Sequence, residues 1–265
     1  MLDIISFLTQ IPVRKETKIE AVAVRSYLFP FVAVLIGLLV AVVAFVSFGF
    51  LVSAPEIAAL LVLLAIYLVT GLMHLDGLAD FFDGIMTSGG RREKRIAMKD
   101  EKIGIAGLFA VIFVILLSFF AVETVCAGFT KATTHSFDLP TFYYFASVFI
   151  IAEVSAKISM NTCILLGNGK EKGSDAKEGI GALFINSCSK SKYVVALLSS
   201  VLIALLFTAS SFRFAIMFTG IAVAIVVSYV AKNKFGALSG DIMGASNELA
   251  RCATLLIWAI FQAAF

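Results

Sequence analysis

HLDGLADFFDGIMTSGGRREKRIAMKDEKIGIAG, residues 74–107, lies between two long apolar segments and holds most of the charge in the first half of the chain. Asp76, Asp80 and Asp83 stand at i, i+4 and i+7, so a helix here places three carboxylates on one face. Three like charges side by side repel. A divalent cation among them relieves that repulsion, and an all-carboxylate set suits a hard, oxygen-seeking ion such as Mg²⁺. Because the cluster begins where a membrane-length apolar run ends, it reads as a site rather than as a solvated acidic helix face.

Composition explains the flanking segments. The 265 residues are 60% hydrophobic and only 15% charged, with a mean hydropathy of +1.01, far outside the range of water-soluble domains. The chain reads as one all-α, polytopic membrane domain over residues 1–265, with a catalytic segment at 74–104. About seven spans are expected: Phe29–Val52, Ile57–Met73, Ile105–Gly128, Pro140–Leu166, Tyr193–Ser210, Phe214–Ala231 and Cys252–Phe265. The last is short for a span. Met1–Val13 is too short to cross and reads as interfacial or re-entrant, and no cleavable signal peptide is evident in it. The polar stretch after Leu166 and the stretch Lys232–Arg251 are expected to be connections. Cys126, Cys163, Cys188 and Cys252 follow no metal-binding or redox spacing and read as packing residues.

Seven spans sort the charge. The N-terminal stretch, the loop after Gly89, the loop after Leu166 and the last connection together carry 18 of the 21 Lys and Arg residues. All four lie on one side of such a bundle, and the positive-inside rule makes that side, with the N-terminus, cytoplasmic. The net charge of +3 is too small for bulk nucleic-acid binding.

On the same face, Asp241 and Glu248 are seven residues apart, with Gly240 and Gly244 allowing close backbone approach. Carboxylates that hold a metal, beside a basic run from Arg91 through Lys99 and Lys102, make the set that a Mg²⁺-bridged pyrophosphate needs. Attraction to lipid headgroups accounts for the basic run equally well. Glu153 and Lys157 lie inside a span at i and i+4, either as an internal pair or with Lys157 reaching substrate phosphate. His74 falls off the aspartate face and reads as a packing or interfacial residue; His135, in the outer loop, has no evident partner.

Six blocks then resemble, in order, the cobalamin-5'-phosphate synthase family, also called adenosylcobinamide-GDP ribazoletransferase. They are FLTQIPV (Phe7–Val13), FPFVAVLIGL (Phe29–Leu38), LDGLADFFDGI (Leu75–Ile85), MKDEKIGIAG (Met98–Gly107), KEGIGALF (Lys177–Phe184) and SGDIMGASNEL (Ser239–Leu249). The resemblance implies a Mg²⁺-dependent membrane phosphotransferase of a bacterial or archaeal plasma membrane, active on its cytoplasmic face. Adenosylcobinamide-GDP would be attacked by α-ribazole or its 5'-phosphate, with release of GMP. Asp76, Asp80, Asp83 and Asp100 would be catalytic, and Asp76, Asp80, Asp83, Asp241 and Glu248 would bind metal. Lys99, Lys102, Lys157 and Arg91 would hold phosphate. Where the family favours arginine this chain has Lys102 and Lys157, which keep the charge but lose the planar fork. The lipid bilayer is the other expected partner, and a homo-oligomer is compatible with the sequence. The alternatives are a CDP-alcohol phosphotransferase or UbiA-like prenyltransferase, or, from another class, a cation transporter.

Overall fold

The computed structural model describes residues 1–13, 17–132, 138–167, 179–208 and 212–264, and its regular structure there is entirely helical. Of the residues named above, His135, Lys177, Ser210 and Phe265 fall outside them, as do Arg14, Lys15, Lys170 and Lys172 of the basic stretches. Two short helices open the chain, α1 (Leu2–Leu8) and α2 (Ile19–Val24). Long apolar helices follow, α3 (Phe29–Phe50) and α4 (Pro55–Thr70). Pro30 and Pro55 stand in their first turns, where a missing N–H breaks no helical bond. The acidic stretch forms α5 (Met73–Met86) and the basic run forms α6 (Arg91–Ala97). Then come α7 (Ile105–Ala132), α8 (Leu139–Gly167), α9 (Ile180–Ser187), α10 (Lys190–Phe207), α11 (Thr219–Phe235) and α12 (Gly240–Ala264).

Helix α8 is the axis of the bundle. Every residue from Phe145 to Ile164 is buried, against α3, α10, α11 and α12, as expected of a helix covered on all sides. The outer helices instead present apolar stripes outward, among them Leu60, Leu64 and Leu68 on α4 and Leu198, Leu202 and Leu206 on α10. A polar-facing core helix ringed by exposed leucines suits lipid and not water as the surroundings. Among the described residues five helices are long and apolar enough to cross a membrane alone; α4 and α5 pass that test only as a pair, bent by 95°. The protein is therefore a multi-pass membrane protein. Helix α12 supplies the seventh long helix, with Glu248 and Arg251 turned into the bundle.

The structure departs from the expected connections in two places. Lys232–Arg251 is no loop: it contains the end of α11 and the first three turns of α12, and Ser246, Asn247, Glu248 and Arg251 are all buried. Hydropathy assigns such a stretch to water because it ignores partners, and here the polar groups bond to one another and to α8 inside the bundle. Similarly, part of the polar stretch after Leu166 folds into α9, which buries Ala182 and Phe184.

At the end of α4 the chain turns by 95° into α5. Gly71 makes the turn with φ +72, a left-handed conformation that side chains resist. The N-terminal segment closes over this corner through a bond from the Gln10 N–H to the Val69 carbonyl (2.8 Å). Helix α5, at 14 residues, is too short to span and runs off at an angle along the end of the bundle.

Candidate active site at the end of the bundle

Helix α5 packs against α12, α7 and α6, and these contacts decide where its three aspartates go. The crossing with α12 is very close. A Cβ on Gly77 would stand 2.7 Å from the Asp241 carbonyl oxygen, so only glycine fits there. The contact brings Asp76 and Asp80, from the sequence just before and after Gly77, to Asp241 in the first turn of α12.

Asp76 is exposed and Asp80 half-buried. Partial burial, then the charges of Asp76, Asp241 and Asp83, push the Asp80 carboxyl up from an ordinary 3.8 to about 7. The negative field is thus unbalanced at this point. Among the described residues no three His, Cys, Asp or Glu side chains converge as a ready-made metal cage. That arrangement fits Mg²⁺ nonetheless, because Mg²⁺ is usually held by one or two carboxylates, with waters and substrate phosphates completing its shell.

Asp83 has a different employment. Its two oxygens accept from the N–H groups of Gly104 (2.7 Å) and Gly107 (2.8 Å), so it tethers α5 to the start of α7. A carboxylate on the free N–H groups at a helix start also meets the positive end of the helix dipole. Asp100 is exposed, accepts from the Lys102 N–H (3.0 Å), and is not among the charges acting on Asp80. Its bond shapes the loop that leads from α6 to α7.

The basic residues divide likewise. Lys99 is exposed and within electrostatic reach of Asp241. Lys102 and Arg91 are exposed too, Arg91 beside the turn at Gly236. Lys94 is engaged elsewhere: its Nζ donates to the carbonyls of Ile85 (2.9 Å) and Thr87, pinning α6 under the end of α5.

Glu248 and Lys157 are not brought to this cluster; they belong to a network inside the bundle. Arg251 donates through Nε to Glu153 (2.6 Å) and through Nη1 to both oxygens of Glu248 (2.8 Å each). Lys157 Nζ donates to Asn247 Oδ1 (2.7 Å) and lies 3.7 Å from Glu153. Asn247 Nδ2 and the Tyr67 hydroxyl donate to Glu248 at 3.0 and 3.3 Å. Two carboxylates thus meet two cations, with every charged side chain buried. The Glu153–Lys157 pair foreseen at i, i+4 forms, but Arg251, counted among the loop charges, is the centre of the network. Its spacing of three from Glu248 was the available sign.

His74 is buried, as a packing residue would be. Yet neither ring nitrogen has a hydrogen-bond partner.

Carboxylates from two helices gathered at one end of an all-helical membrane bundle, beside exposed cations, define a membrane protein equipped for phosphate-bearing ligands. The cobalamin-5-phosphate synthase family model matches residues 1–259, and the chain belongs to that family. Its members serve as transferases in cobalamin synthesis. Similar proteins include the adenosylcobinamide-GDP ribazoletransferases of Methanocella arvoryzae (34% identical, covering 95% of this chain and 91% of the relative) and Pyrococcus abyssi (33%, covering 97% and 96%). That of Thermococcus onnurineus is 30% identical, over 97% of this chain and 96% of its own. No solved structure matches the chain.

Proposed function

We propose that this protein transfers the phosphate-linked corrinoid of adenosylcobinamide-GDP to α-ribazole or α-ribazole 5'-phosphate, releasing GMP, in a Mg²⁺-dependent reaction at the cytoplasmic face of a plasma membrane. The observation that carries this reading is the meeting of Asp76 and Asp80 on α5 with Asp241 on α12, beside Lys99. An acceptor hydroxyl oxygen bonds to the phosphorus nearest the corrinoid; the bridging P–O bond breaks and GMP leaves with its electron pair. Asp76 and Asp241 would hold Mg²⁺, which would supply positive charge against the diphosphate as it reacts. Asp80, whose proton affinity sits near neutrality, accepts the hydroxyl proton. Lys99 and Lys102, with Arg91, draw the diphosphate to the end of the bundle. Asp83 acts through the backbone, keeping α5 against α7.

The test is GMP release by detergent-purified protein supplied with adenosylcobinamide-GDP and either acceptor, with Mg²⁺ or EDTA. Release that needs both Mg²⁺ and the acceptor is expected in wild type. Asp80→Asn should lower turnover by roughly a hundredfold or more, the usual contribution of a placed acid or base. Asp76→Asn should shift the Mg²⁺ dependence to higher concentration. No product with either acceptor would overturn the reading.

A further inference from the structure

The start of α12 is gripped from two sides by backbone. Gly77 of α5 meets the Asp241 main chain, and from the other side α9 closes on the two residues before it. A Cβ on Gly181 would stand 2.5 Å from the Gly240 nitrogen and 2.9 Å from the Ser239 carbonyl carbon, so glycine is required at this contact too. Helix α9 is itself held from behind. The Phe184 ring packs on Phe7 of α1 and Phe29 of α3, at centroid separations of 5.4 and 6.0 Å, and Ile185 lies over Gly167 of α8.

Ser239 links this contact to the carboxylate. Its carbonyl accepts a helical bond from the Met243 N–H (3.3 Å), and its hydroxyl donates to Asp241 Oδ2 (3.2 Å). The residue against which α9 rests is thus the one that orients the Asp241 side chain. Helix α9 itself, IGALFINS, carries no ionisable group and is too short to cross a membrane. It can act on the chemistry only through shape.

We propose that α9 is a buttress for the divalent-cation site, with Gly181 and Ser239 as positioning residues that set the Asp241 carboxylate opposite Asp76 and Asp80. The inference rests on the functional reading above and adds to it residues that carry neither a carboxylate nor a cation. An alanine at Gly181 needs an ordinary contact distance of at least 3.4 Å. The start of α12 must then move by about 1 Å, a displacement that can cost roughly a hundredfold in rate where groups are held for reaction. Loss of the Ser239 hydroxyl leaves the backbone in place and frees the carboxylate to turn. A group that hydrogen-bonds a metal ligand is worth about 10–100-fold in metal affinity.

The experiment follows Mn²⁺, a paramagnetic ion that carboxylates also hold, by electron paramagnetic resonance on detergent-purified protein without substrate. GMP release is measured beside it as a function of Mg²⁺. Gly181→Ala and Ser239→Ala should each weaken Mn²⁺ binding about tenfold and raise the Mg²⁺ concentration for half-maximal release in the same proportion. Gly37→Ala is the control. Its Cβ would stand 2.6 Å from the Ile150 Cα, an equally close crossing between α3 and α8, which carry none of the three site carboxylates. It should lower the thermal midpoint at least as much as Gly181→Ala and leave Mn²⁺ binding at the wild-type value. Ser239→Ala keeps the test decisive where Gly181→Ala fails to fold. Wild-type Mn²⁺ affinity in Ser239→Ala or in folded Gly181→Ala overturns the buttress, as does an equal loss in Gly37→Ala; GMP release by wild type then leaves the functional reading standing. A wild-type protein that binds no Mn²⁺ overturns the buttress and the metal site together.

Discussion

Asp80 and Asp83, three residues apart on one helix, have opposite relations to charge. Asp83 accepts hydrogen bonds from two backbone N–H groups, whereas Asp80 faces other carboxylates that oppose its ionisation. The Asp80 carboxyl titrates near 7 in the folded protein against 3.8 ordinarily, so the folded state binds this proton more tightly than the unfolded state. Stability from this group is therefore fully present below about pH 4, declines as pH rises toward 7, and is level above that. Without divalent cations the thermal midpoint should fall as pH is raised from 5 to about 7.5, and the slope should flatten in Asp80→Asn. Adding Mg²⁺ should restore the midpoint at the alkaline end. Scanning calorimetry in detergent at three pH values measures all of this, and an identical slope in the variant would show that Asp80 is not the titrating group.

Asp83 invites the contrary expectation. Asp83→Ala leaves two N–H groups at the start of α7 without a partner and should cost about 1–2 kcal/mol, as for loss of a helix cap. Asp76→Ala, at an exposed position, should leave stability within about 0.5 kcal/mol while impairing the response to Mg²⁺. Denaturant titration of the two variants beside wild type separates an aspartate that holds the fold from one that faces the ligand.

At the scale of elements, the site is a product of how α5 and α12 cross. Gly77 lets the two backbones approach, and Gly244 on α12 lies against His74 and Gly77. The same helix α12 then descends into the bundle, where Arg251 ties it to α8 through Glu153. Breaking a buried charge network by removing one member strands its partners. Arg251→Met should thus destabilise by about 3–5 kcal/mol, and adding Glu248→Met should recover part of that loss, since a well-packed apolar pair often replaces buried ions at little cost. Equal destabilisation by the single and double variants would mean that Arg251 acts through packing alone.

For the molecule as a whole, orientation is the testable property. With Arg251 inside the bundle, the other Lys and Arg of the four basic stretches predict a cytoplasmic site. In a background with Cys188→Ser, whose cysteine is the only one of the four not buried, a cysteine introduced at Ser88 should react with an impermeant maleimide only after the cytoplasmic side is opened. One introduced at Ser53, between α3 and α4, should react in intact cells. The reverse pattern would place the acidic site on the outer face.

Hydropathy and the positions of the charges were enough to establish an all-helical membrane bundle, and the motif from Leu75 to Ile85 with its companions was enough to establish the family. Both depend on local composition or on the order of blocks along the chain, which a sequence displays directly. The division of labour among the acids was not legible in this way. Asp76, Asp80, Asp83, Asp241 and Glu248 form one acidic set in sequence; the fold makes Asp83 a helix tether and Glu248 part of an internal network, leaving Asp76, Asp80 and Asp241 to face one another. Likewise, polar residues that read as a water-facing connection before Cys252 became the inside of α12, because their partners lie some ninety residues away on α8. The sequence by itself determined the class of fold, the family and the residues available for chemistry. Only the tertiary structure decided which of them meet, since a side chain's role depends on partners that helix packing brings from distant parts of the chain.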